Sequence, residues 1–243
     1  MHRIKLLVSP TSVAEARQSL DGGADIIDCK NPEEGSLGAC TPDTIVAIRD
    51  VVSASARQGI LLSATLGDLP DKPGTAALAA TGLASLGVDY IKAGVHGPRT
   101  PERAAKVLNA IVTATARVNP RALVVAAGYA DHAEANVSIP PMDLIPVAAS
   151  TGCKVVMVDT AIKNGKGLLD AMDEAGIKAF CAAAKQKGLI VALAGNLREK
   201  DIPFLKTTGA DIIGVRTLVV RGGNRVTGSI DATLVARLKQ LLV

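Results

Sequence analysis

The chain has 243 residues, 48% of them hydrophobic, which is ample for a sizeable core; aromatics make up only 2% and Trp is absent, so that core must be built from Ala, Val, Leu and Ile. Lys and Arg number 27 against 23 Asp and Glu, a net charge of +4 spread along the chain with no basic run. That balance favours anionic small molecules and argues against a nucleic-acid footprint.

In chain order, short apolar runs rich in β-branched residues alternate with Ala-rich helical stretches. A strand over 4–8 precedes a helix over 13–20, and a strand over 24–30 precedes a helix over 42–56. Strands over 60–66 and 90–94 are followed by helices over 75–86 and 101–118. Strands over 123–128 and 154–159 lead to helices over 142–151 and 177–187, and strands over 189–195 and 212–216 to helices over 199–207 and 232–242. Four strands are announced by one cue: Gly23-Ala24-Asp25, Gly87-Val88-Asp89, Gly152-Cys153-Lys154 and Gly209-Ala210-Asp211. The Gly ends a helix in the left-handed conformation, and the chain drops into the next strand. Eight such units give either a closed parallel barrel or an open doubly wound sheet; the count of eight favours the barrel. No linker interrupts the pattern, so residues 1–243 read as one α/β domain.

The four cysteines (Cys29, Cys40, Cys153, Cys181) show no CxxC pairing, which argues against disulfides and zinc. No apolar stretch approaches the ~20 residues of a membrane-spanning helix, and 1–6 carries no secretory h-region. The expectation is a soluble cytoplasmic protein. Its outer helices, Ala-rich and poor in aromatics, suit a homo-oligomer.

In a parallel barrel, function gathers on the loops after strands, here 31–41, 67–74, 129–141 and 160–168. Side chains alternate along a strand, so Asp28 and Lys30 share a face and would form an ion pair at the barrel mouth. Lys92 lies near the end of the fourth strand, Asp159 ends the sixth, and Lys163 lies just beyond. A buried lysine is costly unless paired or used, and burial beside other ammonium groups lowers its pKa towards that of a nucleophilic amine. A Schiff-base site follows, with the imine lysine left open between Lys30 and Lys163; the plain alternative is a set of structural salt bridges. Arg216 either plugs the barrel or holds phosphate, and glycines at Gly195, Gly222 and Gly223 offer backbone N–H groups to phosphate. Lys72 and Lys166 read as solvated. His2, His96 and His132 form no strand-end set, so no metal is expected. No GxGxxG follows a strand and no GxxxxGK[ST] occurs, so no nucleotide cofactor is expected.

Several strings together resemble one family. They are Leu7-Val8-Ser9-Pro10, the run from Gly23 to Pro32 (GADIIDCKNP), Glu34-Gly35-Ser36-Leu37-Gly38-Ala39, Ser63-Ala64-Thr65 and Lys72-Pro73-Gly74-Thr75. Val124 to Asp131 (VVAAGYAD), Asp159-Thr160-Ala161, Ala192-Leu193-Ala194-Gly195 and Gly214-Val215-Arg216 complete the set. The family is (5-formylfuran-3-yl)methyl phosphate synthase, or 4-(hydroxymethyl)-2-furancarboxaldehyde-phosphate synthase, of methanofuran biosynthesis. The resemblance implies a (β/α)8 TIM barrel that condenses two molecules of glyceraldehyde 3-phosphate. It also implies Lys30 as the Schiff-base lysine and Lys92 as proton acceptor, supported by Asp28, Asp159 and Lys163. The stretch Thr217-Leu218-Val219-Val220-Arg221 departs from the family pattern, being bulkier.

Overall fold

The computed structural model describes residues 3–243; His2 lies outside the described residues. Eight parallel strands close into a barrel in sequence order: β1 (Lys5–Val8), β2 (Ile26–Cys29), β3 (Leu61–Leu69), β4 (Tyr90–Val95), β5 (Leu123–Tyr129), β6 (Val155–Asp159), β7 (Ile190–Leu193) and β8 (Ile212–Val215). The last strand pairs with the first through Lys5 opposite Ile212 to Val8 opposite Val215, which settles the choice between barrel and open sheet. The helices are α1 (Val13–Asp21), α2 (Pro42–Ser53), α3 (Pro73–Ser85), α4 (Pro101–Val118), α5 (Pro141–Ser150), α6 (Leu168–Ala171), α7 (Glu174–Gln186), α8 (Ile202–Leu205) and α9 (Ala232–Leu242). Among the described residues, no helix is long and apolar enough to cross a membrane.

Local chemistry accounts for most boundaries. Ser12, Thr41, Thr100, Asp173 and Asp231 cap helix starts with side-chain oxygens that accept backbone N–H bonds, and Pro42, Pro73, Pro101 and Pro141 open helices where no N–H is needed. The four predicted glycine stops take positive φ: Gly23 at 93°, Gly87 at 78°, Gly152 at 84° and Gly209 at 78°. The aspartates two residues on do more than the sequence pattern suggested. Asp25, Asp89 and Asp211 accept the backbone N–H groups of Leu6, Leu62 and Val191 at 2.7–2.8 Å, and so tie each strand start to its neighbour at the closed end of the barrel.

Three segments differ from expectation. β3 runs on to Leu69, beyond the predicted 66, because its pairing with β4 shifts between Thr65 and Asp68 at Gly67, which has φ 104°. The predicted helix over 199–207 is a 3₁₀ turn over Glu199–Asp201 followed by α8, and α6 was not foreseen. Four-residue helices carry no periodic signal.

The core has two layers. Val, Ile, Leu and Ala between strands and helices form the outer one. Inside the barrel, Leu7, Ile26, Tyr90, Val125, Val155, Met157, Ala192 and Ile212 form the other. Nearer the carboxyl ends of the strands the inward residues become small (Gly94, Ala127, Ala194, Gly214) or ionisable. A side chain on Gly214 would meet Ala194 at 3.3 Å and Leu7 at 3.5 Å. That thinning of the packing leaves room for a site.

Candidate active site

A cavity of about 290 Å³ opens at the carboxyl ends of the strands, with Lys30, Lys92, Asp159, Lys163, Arg216 and Arg225 among the residues around it. Its ionisable groups come mainly from even-numbered strands: Asp28 on β2 with Lys30 just after it, Lys92 on β4, Asp159 at the end of β6, and Arg216 just after β8. Alternate strands of an eight-stranded barrel contribute to the same inner layer, so these side chains converge although they lie far apart in sequence.

The pairing is cross-strand. Lys92 Nζ donates to Asp28 Oδ2 at 2.5 Å, and Ser9 Oγ donates to the same oxygen at 2.8 Å. Lys30 Nζ lies 3.5 Å from Asp159 Oδ2, while Lys163 Nζ donates to Asp159 Oδ1 at 2.8 Å and to Thr160 Oγ1 at 3.1 Å. The expected Asp28–Lys30 contact is thus replaced by two separate partnerships. Residues two apart on a strand are offset by roughly 6.6 Å, whereas β4 and β6 bring partners across the barrel.

Asp28, Lys92 and Asp159 are at most 1% exposed and Lys30 7%. Burial brings the Lys30 amine down to about 8; the charges of Lys92 and Lys163 also lower it, and Asp159 and Asp28 pull it back up. Burial works against ionisation of both aspartates, but Lys92 and Lys30 outweigh it at Asp28, and Lys163 and Lys30 at Asp159, so both carboxyls are held below the usual range. One oxygen on each, Asp28 Oδ1 and Asp159 Oδ2, is buried and makes no hydrogen bond, Asp159 Oδ2 facing the Lys30 amine only across the longer 3.5 Å ion pair. A buried carboxylate oxygen without a donor is costly to maintain and is available to take a proton or a substrate hydroxyl.

Two loops frame the mouth. The loop after β2 is latched down by Asp68, whose Oδ2 accepts the N–H groups of Ser36 at 2.8 Å and Leu37 at 3.3 Å and whose Oδ1 accepts the Tyr129 hydroxyl. Leu37 is fully buried within the barrel's inner cluster. A side chain on Gly94 would collide with the Tyr129 hydroxyl, the Gly67 carbonyl and Leu37, so the close packing of this latch requires glycine there.

The second loop follows β8 and is closed by a bridge between Val220 and Ile230. Arg216 supports it. Its Nη1 donates to Glu15 Oε2 and to the Ser9 carbonyl, both at 2.8 Å, its Nη2 to Glu15 Oε1 at 3.2 Å, and its Nε to the Arg225 carbonyl at 2.6 Å. Burial opposes ionisation of Glu15, but the bonds from Arg216 and Thr11 hold its carboxyl below the usual range. Glu15→Ala should lower folding stability by about 3–5 kcal/mol, because it strands a buried guanidinium. Chemical denaturation of the variant checks this, and a loss under about 1 kcal/mol would refute the role.

A family model described as 4-HFC-P synthase matches residues 6–239. The chain belongs to that family. (5-Formylfuran-3-yl)methyl phosphate synthases from Methanosarcina mazei, Methanopyrus kandleri and Methanocaldococcus jannaschii are 49%, 47% and 46% identical to it, covering 97%, 99% and 97% of this chain and 97%, 99% and 98% of those proteins. KGPDC from Streptococcus mutans (TM-score 0.66, 11% identity, 99% of this chain and 97% of that one) shares the barrel fold. So does phosphoribosyl anthranilate isomerase from Thermus thermophilus (TM-score 0.64, 14% identity, 98% of each chain).

For a member of the 4-HFC-P synthase family, most residues singled out from sequence converge. Lys30, Lys92, Asp159, Lys163, Gly195, Arg216 and Gly223 line the cavity, and Asp28 lies directly beneath through its bond to Lys92. Gly222, with φ 77°, sits in the same turn as Gly223 but does not line the cavity. Of the histidines, His96 packs edge-on against Tyr129, with ring centres 5.6 Å apart, and His132 is partly buried with Nδ1 unpaired. Ser9, Asp68, Tyr129 and Arg225 were not foreseen. Ser9 and Tyr129 follow or end strands and were within reach of the alternation argument; Asp68 depends on the β3 bulge and Arg225 on an irregular loop.

Proposed function

We propose that this chain makes the furan phosphate named for its relatives by joining two molecules of glyceraldehyde 3-phosphate through an imine on Lys30, as a step of methanofuran biosynthesis. The observation that carries the reading is the Lys30 amine: nearly buried at the cavity wall, close to neutrality in pKa, and held by a 3.5 Å ion pair in place of a tight hydrogen bond. Such an amine is partly unprotonated near neutral pH and free to attack a carbonyl. Lys163, by contrast, is spent on Asp159 and Thr160, which ranks it second for the imine.

The triose carbonyl loses its oxygen as water when the Lys30 imine forms, and the resulting cation faces the ionised Asp159. Lys92, backed by Asp28 and Ser9, moves protons at the carbon next to the imine and at the oxygens that leave. The product carries one phosphate ester, so two triose phosphates must shed one inorganic phosphate and two waters in all; hydrolysis of the imine returns Lys30 as the free amine. The N–H groups near Gly195 and of the Gly222–Gly223 turn are suited to phosphate oxygens. No step calls on a metal or cofactor.

Incubation with glyceraldehyde 3-phosphate and borohydride should place a stable mass on the Lys30 peptide, and without borohydride a furan aldehyde absorbing in the near ultraviolet should accumulate. An adduct on Lys163 would instead favour a class I aldolase of another sugar phosphate. No adduct on any lysine would leave a barrel that only binds a phosphorylated metabolite.

A further inference from the structure

The loop after β8 brings a second arginine to the cavity, and its position contrasts with that of Arg216. Only one N–H of Arg216 is left over by its bonds to Glu15, Ser9 and Arg225. Arg225 is the reverse. Its backbone is fixed, with its carbonyl held by Arg216 Nε at 2.6 Å, while its side chain makes a single long bond, Nη2 to the Gly35 carbonyl at 3.4 Å. The half-buried Arg225, with its remaining N–H groups uncommitted, lines the same cavity as Gly195, Asn196, Gly223 and Asn224.

We propose that Arg225, and not Arg216, is the side chain that grips the phosphate of the phosphorylated aldehyde entering this site. Three features converge on this assignment. The planar fork of a guanidinium matches two phosphate oxygens at once, as an ammonium does not. The flanking turn supplies positive-φ glycines at 222 and 223, whose backbone can approach an anion closely. The electrostatic setting also fits: burial and the charge of Arg216 disfavour the charged form of Arg225, Asp159 and Asp68 favour it from a distance without bonding to it, and an arriving dianion would give it a direct partner. Because Arg225 also touches Gly35, it joins the two loops that frame the mouth. A phosphate bound there would hold them together over the Lys30 amine.

The inference rests on the reading of the substrate as a phosphorylated aldehyde. Inorganic phosphate, titrated calorimetrically into the whole chain, should bind roughly 10- to 100-fold more weakly in Arg225→Ala, with Arg225→Lys in between. In parallel, KM for glyceraldehyde 3-phosphate should rise more than kcat falls, with borohydride trapping of unphosphorylated glyceraldehyde on Lys30 as the reference reaction. Equal phosphate affinity in the wild type and Arg225→Ala would overturn the proposal, as would equal losses for the phosphorylated and unphosphorylated aldehydes. If phosphate binding depends on Arg225 but glyceraldehyde 3-phosphate leaves no adduct on Lys30, the substrate reading fails and the phosphate grip stands.

Discussion

Lys30→Met should cut turnover by roughly 10⁴-fold or more, since no other group supplies the covalent step, while making the folded chain more stable. The second half follows from linkage. The Lys30 amine titrates at about 8 in the folded chain, below its ordinary 10.5. Between those values the unfolded chain binds the proton more readily, so wild-type stability rises with pH across the window and the full cost of protonating Lys30 is present below about pH 8. Methionine removes that cost. Asp159 keeps Lys163 and Asp28 keeps Lys92, so no carboxylate is stranded. A gain of about 1–4 kcal/mol at pH 7 is expected, shrinking as pH approaches 10.5. Melting of both proteins at pH 7 and pH 10 checks the sign: equal or lower stability of the variant at pH 7 would show that the wild type bears no such cost.

Lys92→Met should separate proton transfer from imine formation. The nearby positive charge of Lys92 helps hold the Lys30 amine low, so its loss moves the Lys30 titration upward from about 8. Imine formation needs the free amine, so the acid limb of borohydride trapping shifts to higher pH while trapping at high pH persists. Furan formation falls by roughly 10²–10⁴-fold even there, which is the scale of a lost general acid–base group. The variant also leaves Asp28 buried without its nearest cation, at a cost of about 3–5 kcal/mol. An unmoved acid limb would mean that the two ammonium groups do not feel each other. Full furan yield would remove Lys92 from the proton path.

Much of the barrel could be read from the chain because its rules are local and periodic. Strand alternation turns Lys30, Lys92 and Asp159 inward, and the Gly-x-Asp cue marks three strand starts. What escaped depends on closure. That Asp28 meets Lys92 and Lys30 meets Asp159 follows from how even-numbered strands share a layer, a relation between residues up to 129 positions apart with no trace in any short window. Asp68 reaches Tyr129 because a bulge at Gly67 re-aims the end of β3, and Arg225 reaches the cavity along a loop whose course is set by the buried Glu15–Arg216 pair. Irregular backbone is shaped by what it packs against, so its residues declare themselves only once the fold is in place.

The latch on the loop after β2 has an optical consequence. With no Trp, near-ultraviolet emission from this chain belongs to two phenols, Tyr90 and Tyr129. Tyr90 begins its strand at the closed end of the barrel, whereas Tyr129 donates its hydroxyl to the carboxylate that holds the Ser36 and Leu37 amides. A phenol bonded to a carboxylate loses emission, and one released from it regains emission. A release of this latch would therefore be read in the protein's own fluorescence, without a label.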